Sequence, residues 1–556
     1  MIGLIAVTAA GQAAAARLAA AWPGETRAYQ GPAAAALPRA WAECDALVCF
    51  LATGATVRLI APLLGSKHTD PAVVCVDEAC RYAVALAGGH GTGGNVLAGR
   101  VADLLGAEAV ITTATDAAGI PGLDALGWPV EGAVAAVSRA MLDGEPVHLD
   151  AIATWPLPPF PDNVGGTGRH RILVTDEAAG GDERTAVLRP PSLAVGVGAS
   201  RGVSADEVLG LIDAALAGAG LSPLSVAVVA TADAKAGEPG IAEAAAWRGW
   251  PLTTYPAGLL AGVDVPNPSA APLAAIGTPS VAEAAALLAG DVLVAAKRKS
   301  AMATAAVARI RPRGRLALVG LGPGARDLLP PRAVAELRRA SVVVGLDRYT
   351  DQVRDLLRPG TLVLASGLGA EEARARLAVK EAVSGHAVAL VGSGDAGVYS
   401  MASPALSLAG DDIDVVTVPG ITANLAAAAL LGAPLGHDHV VISLSDLNTP
   451  WQVIERRVRA AAEGDFVVTF YNPRSRGRDW QLAAALEILS GHRPAATPAG
   501  IVRNATRPGQ RVTLTTLAQL DATAADMLSI VVVGCSASRV IAGRLVTPRG
   551  YAWQPQ

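Results

Sequence analysis

Glycine-rich turns follow several apolar runs in the carboxyl-terminal half of the chain, and they are the features best suited to hold a ligand. The clearest is the turn Gly392-Ser-Gly-Asp-Ala-Gly397, which comes directly after the apolar residues 388–391. A buried strand that ends in such a turn leaves backbone N–H and C=O groups uncovered at its carboxyl end. Similar turns follow apolar runs at 320–324, 419–423 and 471–474. Because open α/β sheets bind ligands outside the carboxyl ends of their strands, these turns together predict one wide cleft.

Polar residues in the amino-terminal part of the chain could carry proton-transfer chemistry. His90 lies in the glycine-rich loop 88–94, and a histidine can donate or accept a proton near neutral pH. Asp70 and Asp116 are carboxylates that could activate a water molecule. A structural interpretation stands beside each: a histidine in such a loop is commonly a hydrogen-bonded structural residue, and Asn95 before a helix is typical of an N-cap. The loop could also bind anions on its N–H groups, as helix N-termini do.

Several domains are needed to position these residues. The chain has 556 residues, which is too many for a single hydrophobic core. Short apolar runs, such as residues 2–7 and 46–51, alternate with alanine-rich segments that favour helices. The predicted fold class is therefore α/β and multidomain.

Composition excludes several classes of function. The net charge is -4 and no run of basic residues occurs, which argues against binding to nucleic acid. No uninterrupted apolar stretch of about 18 residues is present, so no membrane span is expected. The first residues lack the basic flank of a signal peptide, which favours a cytoplasmic protein. The spacing of the cysteines is not that of a usual zinc site, so they are expected to be buried thiols and no metal site is predicted.

Shifts in composition suggest the domain boundaries. Residues 1–150 and 193–310 each alternate strands with helices, and the proline- and glycine-rich segment 151–192 between them is predicted to be a linker with one small strand. The rest, 315–556, is predicted to form two sub-domains, at about 315–435 and 436–556.

The region from about residue 315 to the carboxyl end resembles the tetrapyrrole methylases that use S-adenosylmethionine. The motifs that carry this resemblance are Val319-Gly-Leu-Gly-Pro-Gly324, Gly392-Ser-Gly-Asp-Ala-Gly-Val-Tyr-Ser400, Val418-Pro-Gly-Ile-Thr-Ala423, Ser443-Leu-Ser-Asp446 and Tyr471-Asn-Pro-Arg-Ser-Arg476. The last two are most similar to precorrin-3B C(17)-methyltransferases, which methylate and contract the ring in cobalamin biosynthesis. The resemblance implies the fold of class III S-adenosylmethionine-dependent methyltransferases and a tetrapyrrole substrate, with cobalt present only as part of that substrate. It also implies a homodimer.

The same resemblance assigns residues to roles. Matching the motifs position by position gives the following cofactor contacts: Pro323, Ser393, Gly394, Asp395, Val398, Thr422, Ala423, Tyr471 and Asn472. Asp395 has a second interpretation as a turn residue, and Thr422 has one as a helix cap. Tyr399 and His437 are candidates to assist proton movement, and Arg474 and Arg476 are candidates to bind substrate carboxylates.

The amino-terminal half resembles cobalt-precorrin-5A hydrolases, which open a lactone on a corrin precursor. The match runs from Gly54 to Asp116 and includes Thr69-Asp-Pro-Ala-Val-Val-Cys-Val-Asp-Glu78. Residues 193–310 resemble the carboxyl-terminal domain of the same family. The resemblance implies that His90, Asp70 or Asp116 serves lactone opening, and that Lys67 and Asn95 bind substrate. Gly91-Thr92 departs from the Leu-Gly of the family pattern, which bears on the geometry of this loop.

Two other functions are open at this point. The first is a tetrapyrrole methylase that acts at another ring position and has a non-catalytic, corrinoid-binding front half. The second is a nicotinamide-dependent oxidoreductase. The turn 320–324 lacks the third glycine of the dinucleotide fingerprint and places Pro323 where phosphate would approach, which disfavours the second.

Overall fold

The structure is a computed structural model that describes residues 1–66, 69–151, 153–178 and 180–551. The chain divides into two compact units. One comprises residues 1–154, 159–312 and 358–360, and the other comprises residues 155–158, 313–357 and 361–556.

The amino-terminal unit begins with a sheet of mostly parallel strands. Its elements are β1 (Ile2–Ala6), α1 (Ala9–Ala21), β2 (Thr26–Tyr29), α2 (Ala33–Glu43), β3 (Ala46–Phe50), α3 (Thr53–Ile60), β4 (Ala72–Val76), β5 (Tyr82–Ala87), α4 (Gly94–Leu105) and β6 (Glu108–Val110). The strand order is β2-β1-β3-β4-β5-β6. β1, β3 and β4 are apolar throughout, because α1 and α4 pack on one face and α2 and α3 on the other. β5 runs antiparallel to β4, with Val73 opposite Ala87, so β5 ends at the edge where β4 begins.

A second, smaller sheet follows in the same unit. Its elements are α5 (Ala114–Ala117), β7 (Val130–Gly132), α6 (Val134–Leu142), β8 (Val147–Ala151), β9 (Val164–Gly165), β10 (His170–Val174) and β11 (Thr185–Leu188). The strand order is β7-β11-β10-β8-β9. The sequence predicts a linker over residues 151–192, whereas the structure has β9, β10 and β11 there. The predicted small strand corresponds to β10, but β9 and β11 are too short for an apolar period to show in the sequence.

The third sheet of this unit combines three parallel strands with an antiparallel hairpin. Its elements are β12 (Leu193–Ala199), α7 (Ala205–Gly218), β13 (Val226–Ala232), α8 (Pro239–Trp247), β14 (Leu252–Tyr255), α9 (Ala257–Ala261), α10 (Ala270–Ile276), α11 (Val281–Ala289), β15 (Val292–Lys299) and β16 (Ala303–Arg309). The strand order is β14-β13-β12-β16-β15. α7 and α8 cover one face of this sheet and α11 the other.

The carboxyl-terminal unit starts with a fully parallel sheet. Its elements are β17 (Gly314–Gly320), α12 (Pro331–Arg339), β18 (Val342–Leu346), α13 (Asp347–Val353), β19 (Leu362–Ser366), α14 (Glu371–Val383), β20 (Ala387–Gly392), α15 (Ala402–Leu406) and β21 (Ile413–Val418). The order β19-β18-β20-β17-β21 places β17 and β20 side by side near the centre. Both strands are buried and apolar, and they end in the glycine-rich turns identified from the sequence.

A mixed sheet completes the unit. Its elements are α16 (Ala423–Leu431), β22 (Gly432–Ala433), β23 (His439–Ser443), α17 (Trp451–Glu463), β24 (Val467–Tyr471), α18 (Gln481–Ser490), β25 (Pro498–Arg503), β26 (Arg511–Thr516), β27 (Ser529–Val533), β28 (Arg539–Ile541) and β29 (Arg544–Val546). The main order is β23-β24-β27-β25-β26, and β22, β29 and β28 form a small separate sheet. Ala427 and Leu431 of α16 pack with Val467, Val502 and Val532 of the mixed sheet. The chain therefore leaves the parallel sheet before α16, earlier than the predicted limit near residue 435.

These sheets confirm the prediction of a multidomain α/β fold. No helix among the described residues has the length and apolar character needed to cross a membrane.

Candidate functional site

The turns after β17, β20 and β21 meet at one edge of the parallel sheet. The register pairs Gly320 with Gly392 and Val319 with Val418, so the three strands end at the same level. Beyond the strands, Gly322 and Gly394 exchange backbone hydrogen bonds of 3.0 and 2.7 Å. Both have positive φ, of 72° and 68°, a region that glycine enters without strain. The edge of the predicted cleft is thus a wall of backbone N–H and C=O groups from the turns after these strands.

Gly420 makes the closest approach in this wall. A Cβ atom at Gly420 would lie 2.1 Å from the carbonyl oxygen of Gly394 and 2.8 Å from the carbonyl carbon of Gly320. Both neighbours are backbone atoms, which cannot move aside as a side chain can. Glycine at this position is what allows the three turns to close on one another.

Asp395 fastens two of these turns together. Its Oδ1 accepts the N–H of Gly397 at 2.8 Å, and its Oδ2 accepts the N–H of Gly420 at 3.0 Å. The first bond is the local one that a turn aspartate makes, and the second joins the turn after β20 to the turn after β21. Asp395 therefore acts as a turn residue in this structure and also holds the turns after β20 and β21 together.

Tyr471 completes the N-terminus of α16. Its hydroxyl oxygen accepts the N–H of Asn424 at 2.8 Å and lies 2.5 Å from the hydroxyl oxygen of Thr422. Thr422 occupies the N-cap position, but its side chain makes no capping bond, so the predicted cap role falls to Tyr471. Burial raises the pKa of Tyr471, which keeps its hydroxyl protonated near neutral pH.

A cavity of about 360 Å³ opens beside these groups. It is lined by Gly397, Val398, Tyr399, Thr422, Asn424 and Val441. The rings of Tyr399 and Tyr471 lie 5.3 Å apart between centroids. The hydroxyl of Tyr399 donates to the carbonyl of Val441 at 3.0 Å and accepts the N–H of Ser443 at 3.2 Å. Tyr399 thus ties the turn after β20 to β23 and forms one side of the cavity.

The structure brings most of the predicted cofactor residues into one place. Gly394, Asp395, Val398, Thr422, Ala423 and Tyr471 surround or adjoin the cavity. Asn472 donates from Nδ2 to the hydroxyl of Ser443 at 3.0 Å, with a positive φ of 50°. Pro323 and Ser393 are both contacted by Arg507, a residue that the motifs did not indicate.

Three predicted residues lie apart from this cluster. His437 precedes β23 at its amino end, whereas Tyr399 contacts Ser443 at the carboxyl end of the same strand, and the His437 side chain contacts Asp438 next to it. Arg474 donates to the carbonyl of Thr523 at 3.3 Å, and Arg476 is exposed. The buried arginine of this loop is Arg478, whose Nη2 donates to the carbonyl of Asn472 at 3.0 Å.

Removing the hydroxyl of Tyr471 tests whether it caps the N-terminus of α16. We expect Tyr471→Phe to destabilise the carboxyl-terminal unit by about 1 kcal/mol, because the N–H of Asn424 loses its acceptor. The measurement is differential scanning calorimetry, following the transition whose midpoint rises with S-adenosylhomocysteine. Tyr82→Phe, which removes an exposed hydroxyl in the other unit, is the control. Equal midpoints for the two variants would contradict the cap.

A second polar cluster lies in the amino-terminal unit, at the carboxyl ends of β5 and β6. Nε2 of His90 lies 3.1 Å from Oδ2 of Asp116 and 3.0 Å from the hydroxyl of Thr115. The same Oδ2 accepts Nδ2 of Asn95 at 2.9 Å and the hydroxyl of Thr113. Asn95 and Thr113 thus fix the carboxylate of Asp116, and the hydrogen bond to Thr115 orients the ring of His90 beside it. The sequence indicated His90, Asn95 and Asp116 but missed the two threonines.

Asp70 does not join this cluster. It precedes β4, at the same edge of the sheet, but its carboxylate accepts the N–H of Gly65 at 2.9 Å, and it has no contact with His90 or Asp116 among the described residues. Lys67 lies outside the described residues. The predicted N-cap role of Asn95 is wrong, because α4 begins at Gly94 with Gly93 as its N-cap, and the Asn95 side chain turns to Thr113 and Asp116 instead.

Comparisons with known families match different families to the amino-terminal and carboxyl-terminal regions of the chain. Residues 315–521 match the family described as Tetrapyrrole (Corrin/Porphyrin) Methylases. Residues 193–308 match Cobalamin synthesis G C-terminus, and residues 35–116 match Cobalamin synthesis G N-terminal.

Similar proteins match the carboxyl-terminal region. A probable cobalt-factor III C(17)-methyltransferase of Salmonella typhimurium is 46% identical over 239 residues, which are 42% of this chain and 99% of that protein. A precorrin-3B C(17)-methyltransferase of Sinorhizobium sp is 39% identical, over 44% of this chain and 99% of that protein. The crystal structure of the methyltransferase CobJ has 38% identity and a TM-score of 0.40, and it covers 42% of this chain and 100% of that one. The chain therefore belongs to the tetrapyrrole methylases, in the group of C(17)-methyltransferases, and carries both cobalamin synthesis G regions ahead of its methylase region.

Proposed function

We propose that the carboxyl-terminal unit transfers a methyl group from S-adenosylmethionine to C-17 of precorrin-3B or of its cobalt-containing counterpart, with contraction of the ring. The observation that carries this proposal is the wall of backbone groups formed by Gly322, Gly394 and Gly420 beside the cavity. The names of the two relatives support the choice of substrate, since one acts on precorrin-3B and the other on cobalt-factor III.

The residues around the cavity fit the proposed cofactor. Cβ atoms at Gly320 and Gly420 would collide with backbone atoms of the neighbouring turns, so glycine at these positions lets the three turns close together beside the cavity. The cavity lining adds the hydroxyl of Thr422 and the ring of Tyr399. When bound, S-adenosylmethionine supplies an electrophilic methyl group.

The chain's own contribution is positioning. Displacement at a sulfonium methyl group needs no strong acid, so the protein must chiefly hold the two reactants in line and exclude water. The described residues that line the cavity are uncharged near neutral pH, since burial raises the pKa of Tyr399, the one titratable group there. The ring of Tyr399 closes one side of the cavity, and the ring of Tyr471 packs against it.

Mass spectrometry of the corrinoid tests this function. The purified protein is incubated without oxygen with S-adenosylmethionine and either metal-free precorrin-3B or its cobalt complex. We expect a gain of one methyl group on one of the two substrates. The form that is methylated identifies the metal-free or the cobalt-containing route, and no gain on either contradicts the C-17 assignment. We also propose that the protein forms a homodimer and is located in the cytoplasm.

We further propose that the amino-terminal unit opens the lactone of a corrin precursor. The contact between His90 and Asp116 carries this proposal. Nε2 of His90 is hydrogen-bonded to Thr115 and lies 3.1 Å from the carboxylate; in the tautomer that carries its proton on Nε2, the lone pair is on Nδ1, which can accept a proton from water. Nδ1 of His90 has no hydrogen-bond partner among the described residues and is not fully buried. The matches to both cobalamin synthesis G regions support this choice over a non-catalytic front half.

A further inference from the structure

Arg507 is a cation that reaches the cofactor turns from the other sheet of the carboxyl-terminal unit. It lies in the loop between β25 and β26, whereas its partners follow β17 and β20. Its Nε donates to the carbonyl of Pro323 at 2.6 Å, and its Nη2 donates to the hydroxyl of Ser393 at 2.7 Å. Both partners are predicted cofactor contacts.

The loop that carries Arg507 has a second, uncharged contact with the same turn. The hydroxyl of Thr506 accepts the N–H of Ala325 at 3.2 Å. Gly324 makes room for the arginine, since a Cβ there would lie 2.4 Å from Cγ of Arg507. The loop is therefore fixed against the cofactor turn by two independent side chains.

The charge of Arg507 has no carboxylate partner among the described residues, since none lies within ion-pair distance. Burial lowers the pKa of Arg507, although a guanidinium keeps its proton at neutral pH. Its titratable neighbours are Tyr349, which raises its pKa, and the cation Arg348, which lowers it. A cation that is partly removed from water without a counter-charge is costly, and an anionic ligand would offset that cost.

One part of the guanidinium remains available for such a ligand. Nε and Nη2 are held by Pro323 and Ser393, while Nη1 has no partner among the described residues and is not fully buried. The two fixed bonds orient the plane of the group in advance. A carboxylate suits this arrangement, because arginine binds carboxylates through strong charge-assisted hydrogen bonds.

We propose that Arg507 binds a carboxylate of a ligand in the methylase cleft. The inference rests on the proposed methyl transfer, which brings two sources of carboxylate to the site: the amino-acid end of the cofactor and the acidic side chains of the tetrapyrrole. Arg507 is a binding residue in either case, and it holds the turn at Pro323 through the same guanidinium.

Calorimetric titration distinguishes the two sources. The native protein and Arg507→Gln are titrated with S-adenosylhomocysteine and with 5′-methylthioadenosine, which keeps the nucleoside and sulfur but lacks the amino-acid carboxylate. If the cofactor is the source, we expect Arg507→Gln to weaken S-adenosylhomocysteine binding about 10- to 100-fold and to leave 5′-methylthioadenosine unchanged. Arg507→Lys, which keeps the charge, should recover part of the loss.

Steady-state kinetics tests whether the tetrapyrrole is the source of the carboxylate. If the tetrapyrrole supplies the carboxylate, the affinity for S-adenosylhomocysteine stays native in Arg507→Gln, and the KM for the tetrapyrrole rises about 10-fold or more while kcat changes less. Arg511→Gln removes an exposed arginine of the same hairpin and should behave as the native protein in both experiments.

Two results would overturn the proposal. One is native behaviour of Arg507→Gln in both experiments. The other is an equal loss with Thr506→Val, a variant that weakens the attachment of the loop without removing the cation. Such a result would show that Arg507 only holds the loop against the turn and does not bind the ligand. A native protein that fails to bind S-adenosylhomocysteine would instead contradict the proposed methyl transfer itself.

Discussion

Gly420→Ala is expected to weaken S-adenosylhomocysteine binding by about 10- to 100-fold, as overpacking between fixed groups costs about 1–3 kcal/mol. The added Cβ would lie 2.1 Å from the carbonyl oxygen of Gly394, so the turns after β20 and β21 must separate. Their separation also breaks the bond between Asp395 and the N–H of Gly420. Methyl transfer should fall with cofactor affinity. Calorimetric titration with S-adenosylhomocysteine is the measurement.

The matched control is Gly367→Ala. Gly367 follows β19 at the same edge of the parallel sheet, but a Cβ there meets no atom within 4 Å. This variant should bind S-adenosylhomocysteine as the native protein does. An affinity of Gly420→Ala within about twofold of the native value would show that the cofactor does not depend on the close approach of these turns.

Asp116→Asn is expected to slow lactone opening by about 10²- to 10⁴-fold, the usual contribution of general acid–base catalysis. Asparagine keeps the shape of the side chain, but it removes the carboxylate charge that lies 3.1 Å from Nε2 of His90. His90→Ala should cause a loss of the same order, because both changes disable the same pair. The assay is release of acetaldehyde from cobalt-precorrin-5A under anaerobic conditions.

Asp103→Asn is the control, since Asp103 is an exposed residue of α4, the helix that carries Asn95. Binding of the corrinoid should be measured on every variant. Loss of turnover with binding retained supports catalysis by the pair. Turnover at the native rate in Asp116→Asn and His90→Ala would contradict catalysis by this pair. Binding without turnover in the native protein would favour a front half that only binds the corrinoid.

The glycine-rich turns were the most predictable part of the candidate site. Apolar runs that end in glycine located the ends of β17, β20 and β21, and the parallel pairing brought the three ends together. Such features are local in sequence, because strand and turn lie next to each other. The fold class could be predicted for the same reason.

Contacts between distant segments could not be predicted. Arg507 is separated by 184 residues from Pro323 and by 114 from Ser393, and no spacing rule connects them. The cap of α16 comes from Tyr471, which is 47 residues from Asn424, while the sequence suggested the adjacent Thr422. His437 was selected for its chemistry, but only the structure shows at which end of β23 it lies.

The crossing from the parallel sheet to the mixed sheet has a consequence for motion. The chain passes between the two sheets at residues 419–422, between β21 and α16, and this segment is also one of the cofactor turns. Any rotation of one sheet against the other is absorbed partly by torsion angles inside that turn. A ligand held there therefore favours the orientations of the two sheets in which its contacts are complete.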